Sequence, residues 1–191
     1  MEGRWQLVTA PTSEPLTTSE VKLHLRVDGS AEDALIAMYA KAARMAVEEQ
    51  CWIALFTQTW DYFCDTWPEG NEMELPRPPL QSVTSITYRD SAGVSHTLAS
   101  ASYRVDTSGL VGRVVLKYGY EWPTETLDTG SPIAVRFVAG HATTATIPDM
   151  QKAAVLLLTG EMYQNREAAG TPQIMEIPAI QRVLNLSKVR Y

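Results

Sequence analysis

Hydrophobic spacing along the chain changes character twice. Near the start, Thr17 stands three residues before Glu20, and Leu16 precedes an apolar Val21. That is the capping-box and staple pattern of a helix N-terminus. Val27-Asp28-Gly29 ends this first helix. Ser30 with Asp33 repeats the capping pattern and predicts a second helix to about Gln50. On it Leu35, Met38, Ala42, Met45 and Ala46 form one apolar stripe at helical spacing, which predicts a core-facing side. From Thr57 the period drops to two. Thr57–Asp65, Met73–Leu75, Val83–Arg89, Val94–Leu98, Tyr103–Val105, Arg113–Leu116 and Ile133–Val138 read as strands. Turn signals at Pro68-Glu69-Gly70-Asn71, Asp90-Ser91-Ala92-Gly93 and Thr129-Gly130-Ser131-Pro132 separate them. Helical spacing returns at Pro148-Asp149, with Met150, Ala153, Ala154, Leu157 and Leu158 expected inward as far as Asn165. Ala168 to Pro172 reads as a link, and Ala179 to Leu186 as a last short helix.

This order of helices, strands, helices predicts an α+β fold. The first and last helices need each other to bury their stripes, so the strands become an insertion into a small helical bundle. Short strands at close spacing imply antiparallel hairpins rather than parallel crossovers. The expected layout is residues 1–56 as the N-terminal helical part and 57–145 as an antiparallel β domain. Residues 146–191 complete the bundle and end in a tail. No internal repeat or low-complexity tract is evident.

A chain of 191 residues with 45% hydrophobic content can bury a substantial core. A formal charge of −6 argues against a dedicated nucleic-acid binder, which needs clustered cations for phosphate. The same charge suits a surface past which DNA slides without sticking. Two cysteines, Cys51 and Cys64, are too few for a disulfide scaffold and read as small buried hydrophobes in a reduced setting. No basic stretch precedes an apolar run at the start, so no secretory signal is expected. The run Ala153 to Leu158 is far short of a membrane span, and no membrane partner is expected.

Candidate chemistry is sparse. His24, His96 and His141 fall in a helix, a strand and a loop, with no His-Glu-x-x-His or Cys-x-x-Cys beside them. Gly109-Leu110-Val111-Gly112 lacks the Lys-Ser/Thr of a phosphate loop, and no Gly-x-Ser-x-Gly elbow is present. Glu48, Glu49 and Glu161 read as solvated helix faces, since adjacent residues point apart. No enzyme, cofactor or metal site is therefore expected. Trp60, Tyr62, Tyr88, Tyr103, Tyr118, Tyr120 and Trp122 lie in or beside strands, and read as sheet core plus protein interface. The alternative is a small carbohydrate- or peptide-binding module using an aromatic sheet face. Arg166, in Asn165-Arg166-Glu167, serves either as a cation at a helix C-terminus or as an arginine paired to a neighbouring subunit.

The stretch Glu74-Leu75-Pro76-Arg77-Pro78-Pro79-Leu80-Gln81-Ser82-Val83-Thr84-Ser85-Ile86 carries more information. Its prolines exclude helix and interior strand, so it is a rigid entry into the strand that follows. Its wording resembles the head–tail connector (adaptor) proteins of long-tailed bacteriophages, in the version with a β domain between helices. Further blocks resemble the same family in the same order: Leu16 to Asp28, Glu32 to Ile36, Thr57 to Trp60, Tyr103 to Asp106, Val135 to Gly140 and Tyr163 to Glu167. The link Cys51 to Leu55 and the chain after Glu167 depart from it. The resemblance implies a structural virion protein: a ring, usually of twelve copies, beneath the portal protein. Such a ring receives a stopper or tail-completion protein and leaves a channel for DNA. It implies a place in the virion neck between capsid and tail, and host cytoplasm during assembly. It also implies that the C-terminal residues Lys188, Val189, Arg190 and Tyr191 reach the portal, and that Arg166 faces a neighbouring subunit.

Overall fold

The computed structural model describes residues 3–165, together with Arg182 and Asn185. Residues 3–165 are α+β, with three α-helices and antiparallel sheets. The chain divides into two compact units, a β unit holding residues 1–11 and 57–140, and a helical unit holding 12–56 and 141–191.

In the helical unit, α1 spans Thr18–Leu25. Thr17 holds extended backbone and its hydroxyl accepts from the Glu20 amide at 3.2 Å, while the Thr17 amide donates to the Glu20 carboxylate at 2.7 Å. The predicted capping box is therefore formed. The helix ends at Arg26 in the left-handed region (φ 58°), where the Val27 amide reaches back to the Lys22 carbonyl. Helix α2 spans Asp33–Cys51. Its start departs from expectation: Ser30 offers its backbone carbonyl, not its hydroxyl, to the Asp33 amide, and the cap position is Glu32. Helix α3, Asp149–Gln164, runs antiparallel to α2, since the Tyr163 hydroxyl near its end donates to Glu32 at the start of α2.

The buried side of α2 is not the predicted stripe. Ile36, Ala40, Ala43, Val47 and Cys51 are buried, and so are Arg44 and Glu48, whereas Met38 and Met45 are exposed. On α3, Ala154, Val155, Leu158 and Thr159 are buried, while Met150 and Leu157, expected inward, are exposed. Gly160 lets α1 approach: a Cβ there would stand 3.3 Å from the His24 imidazole.

The β unit holds a five-stranded sheet in the order β1-β2-β8-β4-β5 and a three-stranded sheet in the order β3-β7-β6. The strands are β1 Arg4–Thr9, β2 Gln58–Cys64, β3 Glu72–Glu74, β4 Leu80–Arg89, β5 Ser95–Thr97, β6 Tyr103–Asp106, β7 Arg113–Leu116 and β8 Ile133–Ala139. Every named strand pair is antiparallel. Along β2, Gln58, Trp60, Tyr62 and Cys64 are buried and alternate with half-buried residues, as a pleated strand with one core face requires. The register aligns Leu7, Trp60, Phe137 and Val83 across four strands. Residues aligned in this way share a sheet face. Strand β4 begins at Leu80, ahead of the predicted Val83, because the register shifts at Leu80/Ser82 and Val83/Ser85. Such bulges break the alternation by which a strand is read. Gly112 lies against Leu80, where a Cβ would come within 2.2 Å of the leucine side chain, and the Leu75 amide bonds the Gly112 carbonyl at 2.9 Å.

Strand β1 is the element that hydrophobic spacing did not announce. It pairs with β2, and the Pro-rich segment helps to hold it. Arg77 has φ 63° and is buried, with its guanidinium 5.7 Å from the Trp5 ring and 5.1 Å from the Trp60 ring. One arginine thus bridges the edge strand to its neighbour through cation–π contacts.

Candidate assembly surfaces

The titratable groups do not converge. His24 sits exposed on α1, His96 pairs with Asp90 at 2.8 Å and stacks on Tyr88, and His141 bridges to Phe56 beyond β8. Among the described residues no three His, Cys, Asp or Glu side chains come together as a metal site, and no helix is long and apolar enough to cross a membrane. Cys51 and Cys64 are buried thiols outside any disulfide, and burial pushes the Cys64 thiol up.

Charges instead pair locally. Asp61 on β2 takes both nitrogens of a bidentate contact from Arg136 on β8, at 2.8 and 2.7 Å. Asp106 accepts from the Ser108 hydroxyl and amide and from Arg113, which hold its carboxyl at about 2. Arg113 also reaches Glu72, so one cation spans β6, β7 and β3. Glu48 departs from its expected solvated face. It is buried, pairs with Arg44, and accepts the Leu55 amide at 2.8 Å. Glu49, its neighbour, is exposed.

Apolar side chains in water are the more informative feature. On the helices these are Met38 and Met45 (each 56% exposed), Met150 (45%), Leu157 (36%) and Leu23. In the β unit, Tyr118 stands fully in solvent on a turn that Gly119 closes with φ 82°, beside an exposed Tyr120. Leu110 tips the connection between β6 and β7, and Leu7 and Val8 lie on the edge strand β1. Of the aromatic residues named from sequence, Trp60, Tyr62, Tyr88 and Tyr103 are core. Trp122 stacks on Trp67 with centroids 4.9 Å apart and donates to the Gly70 carbonyl. Tyr118 and Tyr120 are thus the exposed members of this set.

Arg166 and the tail residues Lys188, Val189, Arg190 and Tyr191 lie outside the described residues. Met38 and Met45 belong to the apolar stripe that the sequence predicts inward, and the structure exposes them.

Comparison with known proteins gives these surfaces a context. No curated protein sequence matches the chain. Residues 16–109 match the family model of the phage gp6-like head–tail connector protein. Over 98% of this chain and 97% of the other, the fold superposes with TM-score 0.79 and 26% identity on a subunit from the neck of an empty gene transfer agent particle, computed with C6 symmetry. A chain of the native gene transfer agent virion gives TM-score 0.76 at 26% identity, over 98% of this chain and 96% of that one. A chain from the native particle's neck, computed with C12 symmetry, gives 0.76 at 24% identity, over 98% and 97%. The family match runs from α1 through β6, and the similarity to the neck subunit extends over nearly all residues, so the chain is similar to the phage gp6-like head–tail connector proteins.

Proposed function

We propose that this protein is a structural subunit of the neck of a phage-like particle, joining the DNA-filled capsid to the tail. The observation that carries this reading is the match over 98% of the chain to a neck subunit, together with the connector family model. Copies form a ring, for which we propose twelve, beneath a portal protein, and the ring receives a stopper or tail-completion protein. Its work is assembly by shape and charge: heterologous contacts close the ring, and DNA passes through the channel without specific binding. A net charge of −6 favours passage over adhesion. The helical unit is the ring-former, and the β unit extends the platform with its exposed Tyr118 and Tyr120. Arg166 is proposed to face a neighbouring subunit, and Lys188 to Tyr191 to reach the portal.

The test is complementation. Filled heads carrying portal but lacking this protein should gain a ring of density beneath the portal when purified protein is added, and should then accept tails. Heads that join tails equally well without it would overturn the reading.

A further inference from the structure

At the β1 edge of the five-stranded sheet, Arg4, Trp5, Gln6, Phe63, Gly130 and Ser131 enclose a cavity of about 360 Å³. That volume falls within the roughly 300–1,000 Å³ of binding clefts. Arg4 lies directly opposite Phe63 in the register, so the cation and the ring share one sheet face. Gly130 and Ser131 both hold left-handed backbone, at φ 78° and 61°. The Ser131 hydroxyl accepts from the Arg4 guanidinium and donates to Asp65 at 2.8 Å. Serine thus positions Arg4 through a neutral group. Among the described residues Arg4 has no carboxylate in ion-pair reach, although a guanidinium carries five N–H donors. An apolar wall with an uncompensated cation beside it selects an aromatic ring next to an acid.

The chain carries that combination on its other sheet. After β7, the Tyr120 amide bonds the Lys117 carbonyl at 3.1 Å and closes a turn over Tyr118 and Gly119. Tyr118 stands at the apex, fully exposed, and Glu121 follows three residues on, exposed and without a cation among the described residues. Trp122 fixes the end of this segment by stacking on Trp67 and donating to the Gly70 carbonyl at 2.7 Å. Building on the ring proposed above, we infer that Tyr118 and Glu121 of one copy dock at the β1 cavity of the next. The tyrosine ring lies against Phe63, and the Glu121 carboxylate meets Arg4. Three residues span at most about 10 Å, enough to reach from the cavity to the cation on its rim. The two patches differ and lie on different sheets, as a heterologous contact requires. Charge complementarity names the occupant: a second copy supplies the acid that Arg4 lacks and receives the cation that Glu121 lacks.

Charge reversal tests the pairing. Full-length variants are added over a range of concentrations to portal-bearing heads that lack this protein, and neck rings are counted by electron microscopy. Glu121→Arg, at an exposed position, should keep the wild-type melting temperature. It should raise the concentration for half-maximal ring formation at least about tenfold, because like charges set against each other cost several kcal/mol. Tyr118→Ser should also raise it with an unchanged melting temperature, and so should Arg4→Glu. The double variant Arg4→Glu/Glu121→Arg should return to within about threefold of wild type. Normal ring formation by both Glu121→Arg and Tyr118→Ser would overturn this contact while leaving the ring standing. Failure of a double variant with wild-type melting temperature to recover would overturn the pairing as well. Variants that form rings normally but no longer accept tails would assign the cavity to a tail-side partner instead of a second copy. Absence of a ring with the wild-type protein would remove both this inference and the function on which it rests.

Discussion

Arg44 sits on the buried side of α2 between two carboxylates. Its Nε bonds Glu14 at 2.7 Å, its terminal nitrogen bonds Glu48, and the other oxygen of Glu48 accepts the Leu55 amide. One cation thus fixes the segment before α1 and, through Glu48, the segment after α2. Pairs of this kind are weak evidence of net stabilisation, yet breaking one leaves a buried charge uncompensated. Arg44→Ala should therefore cost about 3–5 kcal/mol in urea unfolding, whereas Glu14→Ala, at a third-exposed carboxylate, should cost about 1 kcal/mol or less. A loss from Arg44→Ala no larger than that from Glu14→Ala would mean that Glu48 finds another partner. His141 gives a second residue-scale expectation. Burial lowers its pKa from 6.5, so the fold holds it neutral. A depressed histidine contributes stability that is present above its ordinary value and lost as pH falls through 6.5 towards the lowered one. Melting temperature should drop between pH 7 and pH 5 more steeply in wild type than in His141→Gln. Parallel curves would assign the drop to other groups.

At the scale of elements, β1 depends on two aromatic rings and one arginine. Trp5→Ala and Arg77→Ala should each destabilise the β unit, and the double variant should cost less than their sum. The coupling expected for a contacting pair is about 0.5–3 kcal/mol, and additive losses would show that Arg77 supports Trp60 alone. This strand also marks where the sequence stops being readable. The other strands were legible because period-two spacing and turn residues agreed, and α1 because its capping box is a local device complete in four residues. β1 carries no such signal: Arg-Trp-Gln-Leu-Val-Thr sits at a sheet edge with five of six residues exposed, so no buried face imposes alternation. Helix α2 failed differently. Alanine and methionine occur around most of its circumference, and the buried side includes Arg44 and Glu48, so charge misdirected the choice of face. The same misreading placed Met38 and Met45 inward although they are exposed, and a single sequence does not distinguish such apolar surface positions from core.

On the scale of the whole molecule, charge is unevenly placed. The chain is acidic at −6, yet its last five residues, Ser187 to Tyr191, hold two cations and no acid. Lys188 and Arg190 alternate with Val189 and Tyr191, the pattern of a strand with one charged and one apolar face. Such a segment can add to an exposed sheet edge, gaining main-chain hydrogen bonds while its cations meet an acidic rim. The helices and strands named above lie between Arg4 and Gln164. Deleting residues 187–191 should accordingly leave the melting temperature nearly unchanged and abolish attachment to the portal. Replacing Lys188 and Arg190 by glutamate should weaken attachment in a salt-dependent way, since the charge contribution is screened beyond about 10 Å at 0.1 M ionic strength. Val189→Ser with Tyr191→Ser should weaken it at every salt concentration. The measurement is recovery of tailed particles from filled heads supplied with each variant. A truncated protein that restores tailing at the wild-type rate would place portal attachment elsewhere, with the exposed Tyr118 and Tyr120 turn as the next surface to substitute.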